Sequence, residues 1–120
     1  MANASNRSAR VGELIRRVIA EGLDELNDER LEMVSITSVE VDRELSRAIV
    51  WFTTLNDDDD PEIEVAFARH AGRLRHAVST QTKLRRAPFL QFRVDTTLRS
   101  AQRIEELLRN DTRGDGESED

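Results

Sequence analysis

The chain has 120 residues, of which 38% are hydrophobic and 35% charged, enough for one domain with one modest core and no second one. It has no cysteine, which excludes disulfides, zinc–thiolate sites and a thiol nucleophile, and no apolar run reaches the roughly 18 residues of a membrane span. The net charge of −6 conceals a division: residues 111–120 carry five acids against Arg113, Asp57–Asp60 add four more, and the rest of the chain is slightly basic, so an anionic partner is compatible with the overall acidity.

The opening MANASNRSARV has no apolar signal core, so a cytoplasmic protein is expected. Residues 1–6 are small and polar, and a first helix is expected from Ser8. Its stripe is Val11, Leu14, Ile15, Val18, Ile19, Leu23 and Leu26, at the three- and four-residue steps of an amphipathic helix. Arg7, Arg10, Arg16 and Arg17 lie at its start or on its polar side. Glu21, Asp24 and Glu25 come late and oppose the helix dipole, so packing must hold this helix. Asn27-Asp28 marks its stop.

Residues 33–42 alternate as a strand does, with a slip of phase between Ile36 and Val39 that a bulge near Thr37-Ser38 would absorb. Asp42 to Ser46 is a polar connection. Ala48 to Leu55 is apolar on both faces and rich in strand formers, and should pair with the first strand as an antiparallel hairpin. Asn56 to Asp60 is an acidic loop, and Asp60 before Pro61 is a good helix start.

The stretch from Pro61 to Asp95 organises the rest. Ile63, Ala66, Phe67, Ala71, Leu74, Ala77 and Val78 keep helical spacing. Gly72 falls in the middle at a cost of about 1 kcal/mol against alanine, which predicts a kink or a break into two shorter helices. From Arg69 to Arg86 the charged residues are Arg69, Arg73, Arg75, Lys83, Arg85 and Arg86, with no acid among them. Such a stretch in an acidic chain suits phosphate groups; a solvated helix face is the plainer alternative. After Pro88, Phe89, Gln91 and Arg93 alternate with Leu90, Phe92 and Val94 as a third strand. Leu98, Ala101, Ile104, Leu107 and Leu108 space a last helix. The order predicts an α+β fold, a three-stranded mixed sheet with helices packed on one face.

Catalytic signatures are missing: no P-loop, no dinucleotide fingerprint, no nucleophile elbow. His70 and His76 are six apart, a poor spacing for one metal on a helix. Trp51 and the four Phe read as mostly core, which leaves no visible stacking platform. The expectation is no enzyme, no metal, no cofactor and no small-molecule substrate.

The residues also resemble a known family. Arg7-x-x-Arg10-Val11, Asp28-x-Arg30-Leu31, Val34-Ser35-Ile36-Thr37 with Val39 and Val41, and Leu45 to Val50 follow in order. So do Leu55-Asn56-Asp57, Gly72-x-Leu74-Arg75, Leu84-Arg85-x-x-Pro88-x-Leu90-x-Phe92 with Asp95, and Arg103-Ile104 with Leu107-Leu108. In spacing and order the chain resembles the ribosome-binding factor A family, bacterial assembly factors of the small ribosomal subunit. The resemblance implies a type II KH-like domain over residues 1–110, with 111–120 a disordered acidic tail. In that family an Ala-x-Gly interruption replaces the KH backbone-clamping loop; here it reads His70-Ala71-Gly72. The family's Asp-Pro-Arg-Leu is Asp28-Glu29-Arg30-Leu31. The resemblance further implies a non-catalytic monomer that binds 16S rRNA near its 5′-terminal helix on the immature 30S subunit, supports rRNA processing and aids growth in the cold. Arg7, Arg10, Arg16, Arg17, Arg69, Gly72, Arg73, Arg75, Lys83, Arg85 and Arg86 are the expected RNA-binding residues. Two rival readings stay open at this stage: a module for short single-stranded RNA, and a protein-interaction domain.

Overall fold

The computed structural model describes residues 2–55, 61–97, 105 and 107–109, with side chains from residue 7 onward. In chain order come α1 (Ala2–Leu26), a 3₁₀ turn (Glu29–Leu31), β1 (Val34–Val41), β2 (Arg47–Thr54), α2 (Pro61–Gln81) and β3 (Phe89–Val94). The strands form one sheet in the order β1-β2-β3. β1 and β2 are antiparallel, as the short polar connection allows; β2 and β3 are parallel, which requires a long crossover, and α2 is that crossover. The α+β class, the mixed three-stranded sheet and the hairpin agree with the sequence reading.

Both helices cover one face of the sheet. Ile36, Ala48, Val50 and Phe52 are buried from the strands, against Ile15, Val18, Ile19 and Leu23 of α1 and Ile63, Ala66, Phe67, Leu74 and Val78 of α2. Phe67 is the centre of this layer, stacked on Phe92 at 4.3 Å and tilted against Phe52 at 4.8 Å between ring centroids. The helix dipole does nothing for α1, which has no acid in its first turn and no base in its last; its buried stripe holds it. Asn27, at φ 54°, ends it in the left-handed conformation that asparagine tolerates.

The expected bulge is present: the β1–β2 register shifts between Ile36 and Ser38, leaving Thr37 as the extra residue. The Thr37 hydroxyl donates to Asp95 Oδ2 at 2.6 Å, and Asp95 Oδ1 accepts from the Thr97 amide at 2.9 Å. These two bonds, the hydroxyl bond first, hold the Asp95 carboxyl below the usual carboxylate range. The bulge thereby anchors the chain where it leaves β3.

Three expectations need correction. α1 begins at Ala2 rather than Ser8; once a helix is nucleated by its buried segment, each added residue gains a hydrogen bond at little cost. α2 is not broken into two helices at Gly72 but runs unbroken from Pro61 to Gln81. The glycine costs about 1 kcal/mol, whereas each large apolar side chain buried on either side of it contributes about 1.5–3 kcal/mol. Finally, Trp51 and Phe89 are not core. Trp51 is half-buried on the face of the sheet opposite α1 and α2, its indole N–H donating to Glu40 Oε1 at 2.7 Å, and Phe89 is 64% exposed. The helix expected from Leu98, the cap expected of Asp60, the acidic loop 56–60 and the tail 111–120 lie wholly or largely outside the described residues; Thr97, Glu105 and 107–109 are helical.

Candidate nucleic-acid interface

The basic residues separate into two groups once the fold is formed. Arg69 and Arg73 are exposed on α2, and Lys83, Arg85 and Arg86 are exposed on the connection from α2 to β3. None of them makes an ion pair with a described residue. No acid occurs between Val65 and Val94, so nothing along this stretch competes for them locally. Arg75 differs: it is half-buried, and its Nε and Nη2 donate to the Ala87 carbonyl at 3.2 and 2.9 Å. Its guanidinium also lies 4.2 Å from the centroid of the Phe89 ring. Arg75 therefore ties α2 to the start of β3.

A groove of about 500 Å³ runs beside this tie. Among the described residues, Arg7, Arg75, Lys83, Arg85, Arg86 and Phe89 line it, with Glu44 the one acid. A second groove shares Arg75 and Leu84–Ala87 with it and continues to Gly72, His76 and Ser79. Together they form one basic channel from the start of α1 to the middle of α2. The fold brings Arg7 to residues nearly eighty positions away, because α1 and the α2–β3 connection meet at the same end of the sheet.

Gly72 is exposed on the channel wall, and a Cβ placed there would meet nothing within 4 Å. Arg10 and Arg17 are exposed on α1 outside these grooves. Arg16 is not free: its guanidinium is bound to Glu13, with Nη2 to Oε1 at 2.6 Å. That pairing lowers the Glu13 carboxyl from its ordinary value and raises Arg16. As an exposed pair it adds little stability, but it directs Arg16 along the helix rather than outward.

His70 is half-buried and faces inward. His70 Nε2 is 2.8 Å from Asp28 Oδ2. Arg30 binds the same carboxylate through Nε at 2.9 Å and Nη2 at 2.7 Å, and the Arg30 amide donates to Oδ1 at 3.0 Å. The bonds from Arg30 and then His70 hold the Asp28 carboxyl far below its usual range. His70 thus fastens α2 to the turn after α1. His76, by contrast, is exposed beside Gly72. Among the described residues no cluster of His, Asp or Glu is arranged to hold a metal ion, and no helix is long and apolar enough to cross a membrane.

Phe89 is the groove residue that the sequence reading missed. The signal was there: in the strand's alternation Phe89 shares its phase with Gln91 and Arg93, not with Leu90, Phe92 and Val94.

The model of the family described as ribosome-binding factor A matches residues 7–108. Ribosome-binding factor A of Coxiella burnetii is 34% identical over 116 residues, 96% of this chain and 98% of its own length. The crystal structure of ribosome-binding factor A from Thermus thermophilus superposes with a TM-score of 0.67 at 24% identity, over 72% of this chain and 94% of that one. A homology model of the Thermus thermophilus factor, fitted into a cryo-EM map of a 30S complex, gives 0.60 at 24% identity over 70% and 90%. At that identity these two likenesses bear on the fold, which is the KH-like one.

Proposed function

Because this chain belongs to the ribosome-binding factor A family, we propose that it binds the small ribosomal subunit through the basic channel. The observation that carries this reading is the channel's set of cations, Arg7, Lys83, Arg85 and Arg86, which make no ion pair among the described residues and are gathered from two distant segments. Cations without an acidic partner among the described residues suit the phosphates of folded RNA, which are read by shape and backbone. The relative whose coordinates were fitted to a 30S complex supports the choice of particle.

In this reading the protein is a non-catalytic monomer of the cytoplasm that recognises 16S rRNA near its 5′-terminal helix on immature 30S particles. It supports rRNA processing and growth in the cold. Residues 1–110 form the binding domain, and the acidic residues 111–120 compete with RNA for the basic face. Arg69, Arg73, Arg10 and Arg17 extend the phosphate-binding surface on either side of the channel. Gly72 lets backbone approach α2 closely, and Arg75 contributes charge from a fixed position. Arg16 contributes least, being turned toward Glu13.

Co-sedimentation with free small subunits, large subunits and whole ribosomes tests the proposal. Pelleting with the small subunit, weakened on whole ribosomes, is expected. If about six phosphates are neutralised, log affinity falls with log salt at a slope of about −4 to −5. No pelleting with any particle, by a folded protein, would overturn it.

A further inference from the structure

The groove holds a group that phosphate binding does not require. Phe89 is 64% exposed, a large apolar surface beside the cations Arg7, Arg75, Lys83, Arg85 and Arg86 that line the same groove. One face of its ring is covered by the Arg75 guanidinium at 4.2 Å, and the degree of exposure leaves the rest of the ring open. The guanidinium is held by its two bonds to the Ala87 carbonyl, so the pair is fixed before any ligand arrives. Ala87 and Pro88, just before it, are buried, which anchors the backbone that presents the ring. Arg7, Lys83, Arg85 and Arg86, which make no ion pair among the described residues, line the same groove.

A flat, polarisable ligand with a negative charge next to it satisfies both features, and a nucleotide has that form. Duplex RNA does not, because its bases are stacked inside and offer no face to a side chain. We propose that Phe89, braced by Arg75, stacks on an unpaired nucleobase whose flanking phosphates lie against Arg85, Arg86 and Lys83. This deepens the ribosome-binding reading and rests on it: the rRNA segment in the groove presents a base from a bulge, loop or single-stranded end. Stacking on an aromatic ring is tolerant of base identity, so the contact adds affinity and selects unpaired over paired RNA.

The test is binding of wild-type protein, Phe89→Trp, Phe89→Leu and Phe89→Ala to free small subunits across a salt series, with folding of each checked by circular dichroism. Losing one stacked base weakens binding by about 5- to 150-fold. That loss is expected for Phe89→Leu and Phe89→Ala, with binding retained by Phe89→Trp. The salt slope stays unchanged in all of them, because no phosphate contact is removed. Arg86→Ala makes the complementary change, a slope shallower by about one. Wild-type affinity in Phe89→Leu and Phe89→Ala overturns the stacking proposal while the ribosome-binding reading stands. A wild-type protein that binds no subunit removes both.

Discussion

Gly12 of α1 and Gly72 of α2 occupy opposite situations. Gly12 of α1 is buried against β1, and a Cβ built on it would overlap the backbone carbonyl oxygen of Val39. Gly72 of α2 is exposed, and a Cβ there would meet nothing. The first glycine is explained by the protein's own packing: it lets α1 lie close on the strand just beyond the bulge. The second is not explained from within. The sequence reading singled out Gly72 and passed over Gly12, since only the interrupted apolar pattern of α2 drew attention. A glycine without an internal reason, on the wall of a basic channel, is what an external backbone would require.

Gly12→Ala should have the largest effect. The clash is with backbone, which cannot rotate aside, so the cost is that of overpacking, about 1–3 kcal/mol and at its upper end. For a domain of this size, 1 kcal/mol moves Tm by about 4–8 °C, and a thermal melt will register the loss. A Tm within a degree or two of wild type would mean that α1 shifts freely on β1. Gly72→Ala should act with the opposite sign: about 1 kcal/mol of added stability from helix propensity, together with weaker binding to small subunits. Added stability with unchanged binding would show that the exposed glycine is incidental.

The smallest effect at neutral pH is expected where α2 is tied by polar bonds rather than by close packing. His70→Ala removes one partner of Asp28, leaving Arg30 in place. Hydrogen exchange in α2 around residue 70 should quicken, with little change in the global melt. The Asp28 carboxyl is lowered from an ordinary value of 3.8, so its contribution is fully present above that pH. It is lost as pH falls further, toward the folded-state value. Asp28→Asn should therefore flatten the loss of stability on acidification below about pH 4, while starting from a less stable protein at pH 7. A wild-type acid limb retained in Asp28→Asn would assign that limb to other carboxylates, such as Asp95.

Much of this molecule was legible in the residues. The α1 stripe, the hairpin, the bulge at Thr37, the start of α2 at Pro61 and the strand after Pro88 all follow from periodicity and turn chemistry, because these depend on neighbours a few positions apart. The basic window was visible for the same reason. The misreadings share one cause. Gly72 looked like a break because local propensity was weighed without the buried stripe on both sides of it. Phe89 looked like core because its residue type was weighed above its phase. Arg16, Arg75 and His70 looked alike as cations or potential cations, and only their partners distinguish them.

By itself the sequence determined the order of elements, their buried faces, the location of the positive charge and the family. The tertiary structure alone decided which cations pair among the described residues, that Arg7 joins Lys83, Arg85 and Arg86 around one groove, that Arg75 and His70 serve as ties, and that Phe89 faces solvent. The physical reason is range. Helical and strand periodicity is set by interactions between near neighbours and leaves its pattern in the chain. Ion pairs, ring contacts and shared grooves depend on which distant residues the packed core brings within a few ångströms, and no local pattern encodes that.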